Sequence, residues 1–85
     1  MNDTMTYNTK EIKHALITET LREVISILEE KGYNPINQIV GYLMSGDIGY
    51  ISSYKDARKK LMKIEKTELL EVLVKEFVEE WDILV

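Results

Sequence analysis

The chain has no cysteine, a single histidine and a single proline among its 85 residues. Without cysteine there is no disulfide framework, no thiolate metal site and no cysteine nucleophile. One histidine, His14, supplies neither the paired ligands of a His-based zinc site nor, on its own, a hydrolytic triad. Positive charge is also in deficit: 15 acidic against 11 basic residues give a net charge of −4. That balance opposes attraction of the whole domain to nucleic acid or anionic lipid. No apolar run approaches the ~20 residues of a membrane span. Met1 to Tyr7 has neither the basic start nor the apolar stretch of a targeting peptide, so a cytoplasmic location without membrane insertion is expected. The four glycines, Gly32, Gly41, Gly46 and Gly49, fit neither G-x-G-x-x-G nor G-x-x-x-x-G-K-[ST], so nucleotide chemistry has no support. No alternating strand pattern, repeat or low-complexity tract is present.

What is present is 45% hydrophobic and 31% charged residues, the composition of an ordinary globular domain. A chain this short makes one core, and a small domain leaves much of its apolar surface uncovered. Self-association absorbs such a surplus, and two-fold pairing is the commonest form of it.

The spacing predicts an all-α fold, a small bundle of about four helices. Residues 1–8 are polar and aperiodic, a flexible tail by composition; 9–85 form a single helical domain. Ile12, Leu16, Ile17, Leu21, Val24, Ile25 and Leu28 recur at steps of three and four, giving a first helix from Thr9 to about Lys31, stopped by Gly32. Asn34-Pro35 caps and starts a second, lined by Ile36, Ile39, Val40 and Leu43, with Gly41 implying close backbone packing. Ser45 to Ser52 is expected to turn, with Tyr50 and Ile51 tucked inward. Ser53 as N-cap and the series Tyr54, Ala57, Leu61, Ile64 predict a third helix over roughly 53–65. Thr67-Glu68 predicts a cap for a fourth, carrying Leu69, Leu70, Leu73, Val74, Phe77, Val78 and Trp81; one continuous helix over 53–81 is the alternative. The end from Trp81 to Val85 is apolar enough to need cover from its own domain or a second copy.

Catalytic groups are scarce. The pairs Glu29/Glu30 and Glu79/Glu80 are solvated helix faces unless a pocket separates their pKa values. His14 has no second ligand at metal spacing and is expected at the surface or half-buried. No enzyme activity and no cofactor are expected. The one marked charge feature is basic: Lys55, Arg58, Lys59, Lys60, Lys63 and Lys66 bring six of the 11 cations into twelve positions. On a helix, Lys55, Lys59 and Lys63 fall on one flank, a possible anion-binding surface. A nucleic-acid or polyanion module working through this basic helix, 55–66, is one functional reading. Nucleic acid is the weaker partner, since the segment lacks base-reading and stacking residues beyond Tyr54.

The run from Lys31 to Asp47, KGYNPINQIVGYLMSGD, with Tyr50-Ile51, Lys55-Asp56-Ala57-Arg58 and the closing Glu68 to Lys75, ELLEVLVK, resembles the IreB-like regulatory phosphoproteins of Gram-positive bacteria. The resemblance implies a small helical homodimer that is not an enzyme. It also implies a substrate of the membrane-anchored Ser/Thr protein kinase with extracellular PASTA repeats, acting negatively in cell-envelope stress and cephalosporin resistance through a downstream protein it does not name. The family acceptor is a tail threonine after an acidic residue and shortly before Arg-Phe. In Asp3-Thr4-Met5-Thr6-Tyr7, Thr4 matches the acceptor, Tyr7 the aromatic, and Thr6 stands where arginine is usual, so Thr4 and Thr6 are the phospho-acceptor candidates. Ile48 and Ser52 replace loop prolines common in the family. Thr18 and Thr20 fall inside the first helix.

Overall fold

The computed structural model describes residues 9–84, and among these it contains helices and no strand. The order is α1 (Thr9–Glu30), α2 (Pro35–Ser45), two single-turn 3₁₀ helices (Ile48–Tyr50 and Tyr54–Asp56), α3 (Ala57–Met62) and α4 (Lys66–Leu84). Thr4 and Thr6 lie outside the described residues, as does the packing of side chains from Trp81 onward.

The termini follow the local chemistry. Gly32 sits at φ 88°, and the amides of Gly32 and Tyr33 donate to the carbonyls of Glu29 and Leu28. This pairing closes the orphan carbonyls at the end of α1 and needs a left-handed residue that only glycine adopts without strain. Asn34 caps α2 as expected, its Oδ1 accepting from the Asn37 amide at 3.1 Å, with Pro35 in the first helical turn. Gly46, at φ 76°, ends α2 by donating its amide to the Tyr42 carbonyl.

The core is built on α1, where Ile17, Leu21, Val24, Ile27 and Leu28 are buried. Ile39 and Tyr42 of α2, Ile51, Ala57 and Leu61 of α3, Ile64, and Leu69 and Val72 of α4 complete it. The close approach expected at Gly41 is present: a Cβ there would stand 2.5 Å from Cδ1 of the Tyr50 ring. Ile51 is fully buried, whereas Tyr50 covers Gly41 with one face and leaves half of its surface exposed. The loop before α3 is tied from both sides. The Ser52 amide donates to Gln38 Oε1 at 2.9 Å, and Arg58 Nε donates to the Ile51 carbonyl at 2.8 Å.

Two expectations change. The third helix does not run from Ser53: Lys55 (φ 48°) and Asp56 (φ 64°) are left-handed, so α3 starts at Ala57. Ser53 makes no side-chain cap, and the neighbouring Ser52 Oγ accepts from the Tyr54 amide instead. Thr67 is not the cap of α4, which begins at Lys66, with the Glu65 carbonyl accepting from the Leu69 amide. Helices three and four are separate, as the first reading has it, and the continuous alternative does not hold. Leu69 and Val72 follow Leu61 and Ile64 by eight residues, about 80° out of register on a straight helix. A break at residues 63–65 turns both pairs onto the core.

Several stripe residues do not enter the core. Ile12, Leu16, Ile36, Val40, Leu70, Val74, Phe77 and Val78 are exposed. A helix in a one-layer bundle needs a narrower apolar stripe than α4 carries.

Candidate functional site

The basic segment is divided by the fold. Lys55 stands before α3, in the 3₁₀ turn, and its ammonium donates to Glu30 Oε2 at 2.7 Å. Lys60 leans across to Glu23 of α1, and the Arg58 guanidinium is used on the Ile51 carbonyl. Lys59 and Lys63 are exposed and, among the described residues, carry no ion pair. The three candidates Lys55, Lys59 and Lys63 therefore do not form one uninterrupted helical flank: Lys59 and Lys63 keep it, and the left-handed backbone at residues 55 and 56 separates Lys55 from them.

Lys55 belongs to a different cluster, to which no local sequence pattern points. Glu30 at the end of α1 accepts from the Tyr54 hydroxyl at 2.9 Å as well as from Lys55. Lys31 and Lys55 both lie over the Tyr54 ring, 5.1 and 5.5 Å from its centre, close enough for cation–π attraction. The left-handed stretch is thus held where its side chains reach α1. The hydrogen bond from Lys55, then that from Tyr54, lowers the Glu30 carboxyl below the ordinary carboxylate value. The hydrogen bond to Glu30 in turn raises both Tyr54 and Lys55.

Glu30, being depressed, contributes stability present above about pH 4.3 and lost as pH falls through its lowered value; Lys55, being raised, contributes below about pH 10.4 and loses it as pH rises through its own. The group is solvent-exposed, so its effect on global stability is small. The expected result for Glu30→Gln is that Tyr54 titrates at lower pH than in the parent, followed by ¹³C NMR of the tyrosine rings. An unmoved curve means that Glu30 does not hold Tyr54 in solution.

His14 is half-buried, its Nε2 3.8 Å from Glu71 Oε1 across the α1–α4 seam, and Lys13 pairs with Glu68 beside it. Among the described residues no three His, Asp or Glu side chains are grouped to hold a metal, and no helix is long and apolar enough to cross a membrane. Thr18 and Thr20 lie within α1 and Thr67 within α4.

The larger surface feature is apolar. Leu70, Val74, Phe77 and Val78 make a continuous exposed stripe along α4, and Ile36, Val40 and Met44 make a second along α2. Between α1, α2 and α4 runs a groove lined by Ile25, Tyr33, Ile36, Val40, Leu43 and Leu73. The periodicity located these residues on the helices, but it did not show which of them stay uncovered.

The model of the IreB regulatory phosphoprotein family matches residues 2–79 of this chain. A UPF0297 protein of Acetivibrio thermocellus is 48% identical over 79 residues, covering 93% of this chain and 88% of that relative. The match extends beyond the run from Lys31 to Asp47 into α1 and the residues before it, and along α4 as far as residue 79. The chain belongs to the IreB regulatory phosphoprotein family.

Proposed function

We propose that the protein is a non-enzymatic, cytoplasmic homodimer regulated by phosphorylation of its N-terminal segment. It is a substrate of a PASTA-type membrane Ser/Thr kinase, with Thr4 the first candidate acceptor and Thr6 the second. It acts as a negative regulator in cell-envelope stress and cephalosporin-resistance signalling, through a downstream protein partner. The observation that carries this reading is the family match, which begins at residue 2 and so takes in both threonines. A kinase takes its acceptor in an extended segment, and the described threonines, Thr9, Thr18, Thr20 and Thr67, are all helical.

Incubating the full chain with the kinase domain and ATP, then mapping the modified residues by mass spectrometry, is expected to place the phosphate on Thr4 or Thr6. Modification confined to residues 9–84, or none, removes the reading. A polyanion-binding module is the second reading, favoured by the exposed ammonium groups of Lys59 and Lys63. Against it stand the net charge of −4 and the engagement of Arg58 with backbone. Binding to duplex DNA that weakens steeply with salt would favour it, because neutralising phosphates releases counterions.

A further inference from the structure

We propose that the phosphate on the N-terminal segment seats on Lys59, Lys63 and Lys66 of the same chain, so that phosphorylation covers the basic surface running from α3 to the start of α4. The inference rests on the reading of Thr4 as acceptor.

Its first support is the distribution of cations. Lys13, Lys55, Lys60 and Lys75 pair with Glu68, Glu30, Glu23 and Glu79. Arg58 is bound to the Ile51 carbonyl, and Lys31 lies over Tyr54. Arg22 has no ion pair among the described residues, but it shares its groove with Glu11, Glu19 and Glu76. Lys10 also has a partner. That leaves Lys59, Lys63 and Lys66, all exposed, none ion-paired among the described residues, and within eight positions. Lys59 lies about 200° around the helix from buried Ala57, on the outward face. The Lys66 ammonium lies beside Gly46, at the negative end of the α2 dipole.

The second support is reach. Lys60 meets α1 at Glu23, whereas Glu68 pairs with Lys13 and Glu65 also acts on the Lys13 ammonium. The chain from α3 into α4 therefore runs back along α1 toward its start, and Lys63 lies between those two crossings. Thr9 is the first residue of α1, one turn before Lys13. The five residues from Thr9 back to Thr4 span up to about 17 Å, and the two crossings lie about 6 and 21 Å along α1 from Thr9. A phosphothreonine brings about −1.5 to −2 charges and three acceptor oxygens, the complement of a cluster of ammonium point charges. A nucleic-acid partner fits less well, since residues 57–66 contain no aromatic, Asn or Gln side chain to read or stack on a base.

The test uses the full chain with phosphothreonine installed at position 4 by synthesis, so that it does not depend on the kinase. The chain has no cysteine, and Asn2→Cys therefore gives a unique attachment point for a nitroxide. With the phosphate present, amide signals of residues 58–62 are expected to lose at least half their intensity relative to the unphosphorylated chain. The triple variant Lys59→Gln, Lys63→Gln, Lys66→Gln should remove that loss while circular dichroism stays unchanged. Equal intensities with and without phosphate would overturn the proposal, and so would broadening that survives in the triple variant. Broadening of isotope-labelled chains by nitroxide carried on unlabelled ones would place the contact on the partner copy, against the same-chain assignment. Salt-sensitive binding of duplex DNA to this face, unaffected by the phosphate, would overturn it in favour of nucleic acid. A kinase that leaves Thr4 unmodified, beside an intact phosphate-dependent contact, would instead count against the proposed acceptor alone.

Discussion

If the protein is the proposed homodimer, replacing Val74 and Phe77 together by aspartate is expected to leave a folded monomer of 9.9 kDa in place of a species of twice that mass. Both residues are turned away from the domain's own core, 61% and 68% exposed, with Leu70 and Val78 beside them. The residues of α4 that hold it to the domain are Leu69 and Val72, which the substitutions do not touch. A specific dimer covers roughly 1,200–2,000 Å² in total, and a Phe side chain is among the largest single contributions to such a surface. Placing a carboxylate where Phe77 would be covered removes that contribution and adds the cost of desolvating a charge, several kcal/mol per site. A loss of about 4 kcal/mol weakens association roughly a thousandfold, enough to be plain in sedimentation velocity at micromolar protein. Circular dichroism should be unchanged, because the single chain is complete without these side chains. A variant that remains dimeric would move the interface to the second stripe, Ile36, Val40 and Met44. A parent that is itself monomeric would end the homodimer reading.

The helix ends were legible because each is written in adjacent residues. Asn34-Pro35 acts within three positions, Gly32 and Gly46 act on the turn they follow, and the helical Gly41 announced the ring that covers it. What could not be read depends on partners far away in sequence. The left-handed pair Lys55-Asp56 breaks a helix whose local signals are sound, and what holds it is Glu30, 24 and 25 residues from Tyr54 and Lys55. The break between α3 and α4 was expected from local signals, but the choice against one continuous helix rests on the need to present Leu61 with Ile64, and Leu69 with Val72, to one α1. Burial along the stripes was hidden for a related reason. Leu69 and Leu70 are equivalent by composition, yet one is fully buried and the other 42% exposed, because α4 meets α1 along one line only. The basic segment was visible as composition, but its division into paired and unpaired ammonium groups required the positions of Glu23 and Glu30 on a different helix.

Leu61→Ala should bring the domain close to unfolding. Leu61 is fully buried on the short helix that lies against α1, and α3 has only Ala57 beside it to bury within its six residues. Truncating a buried leucine costs about 2–5 kcal/mol, the higher figure where neighbours do not collapse into the space. Here they are constrained: Ile51 is held by the Arg58 and Gln38 hydrogen bonds on either side, and Val24 and Leu28 belong to a 22-residue helix. A domain of this length has a total stability of about 4–13 kcal/mol, so the substitution removes a large share of it. The midpoint of thermal unfolding should fall by roughly 10–30 °C. Met62→Ala, at an adjacent position that is 56% exposed, should change stability by about 0.5 kcal/mol or less. Because association of folded chains adds concentration-dependent stability, both variants and the parent are to be unfolded at one fixed concentration. If Leu61→Ala unfolded within about 1 kcal/mol of Met62→Ala, α3 would not be part of the core. The face that presents Lys59 and Lys63 would then lack the anchored helix on which its geometry depends.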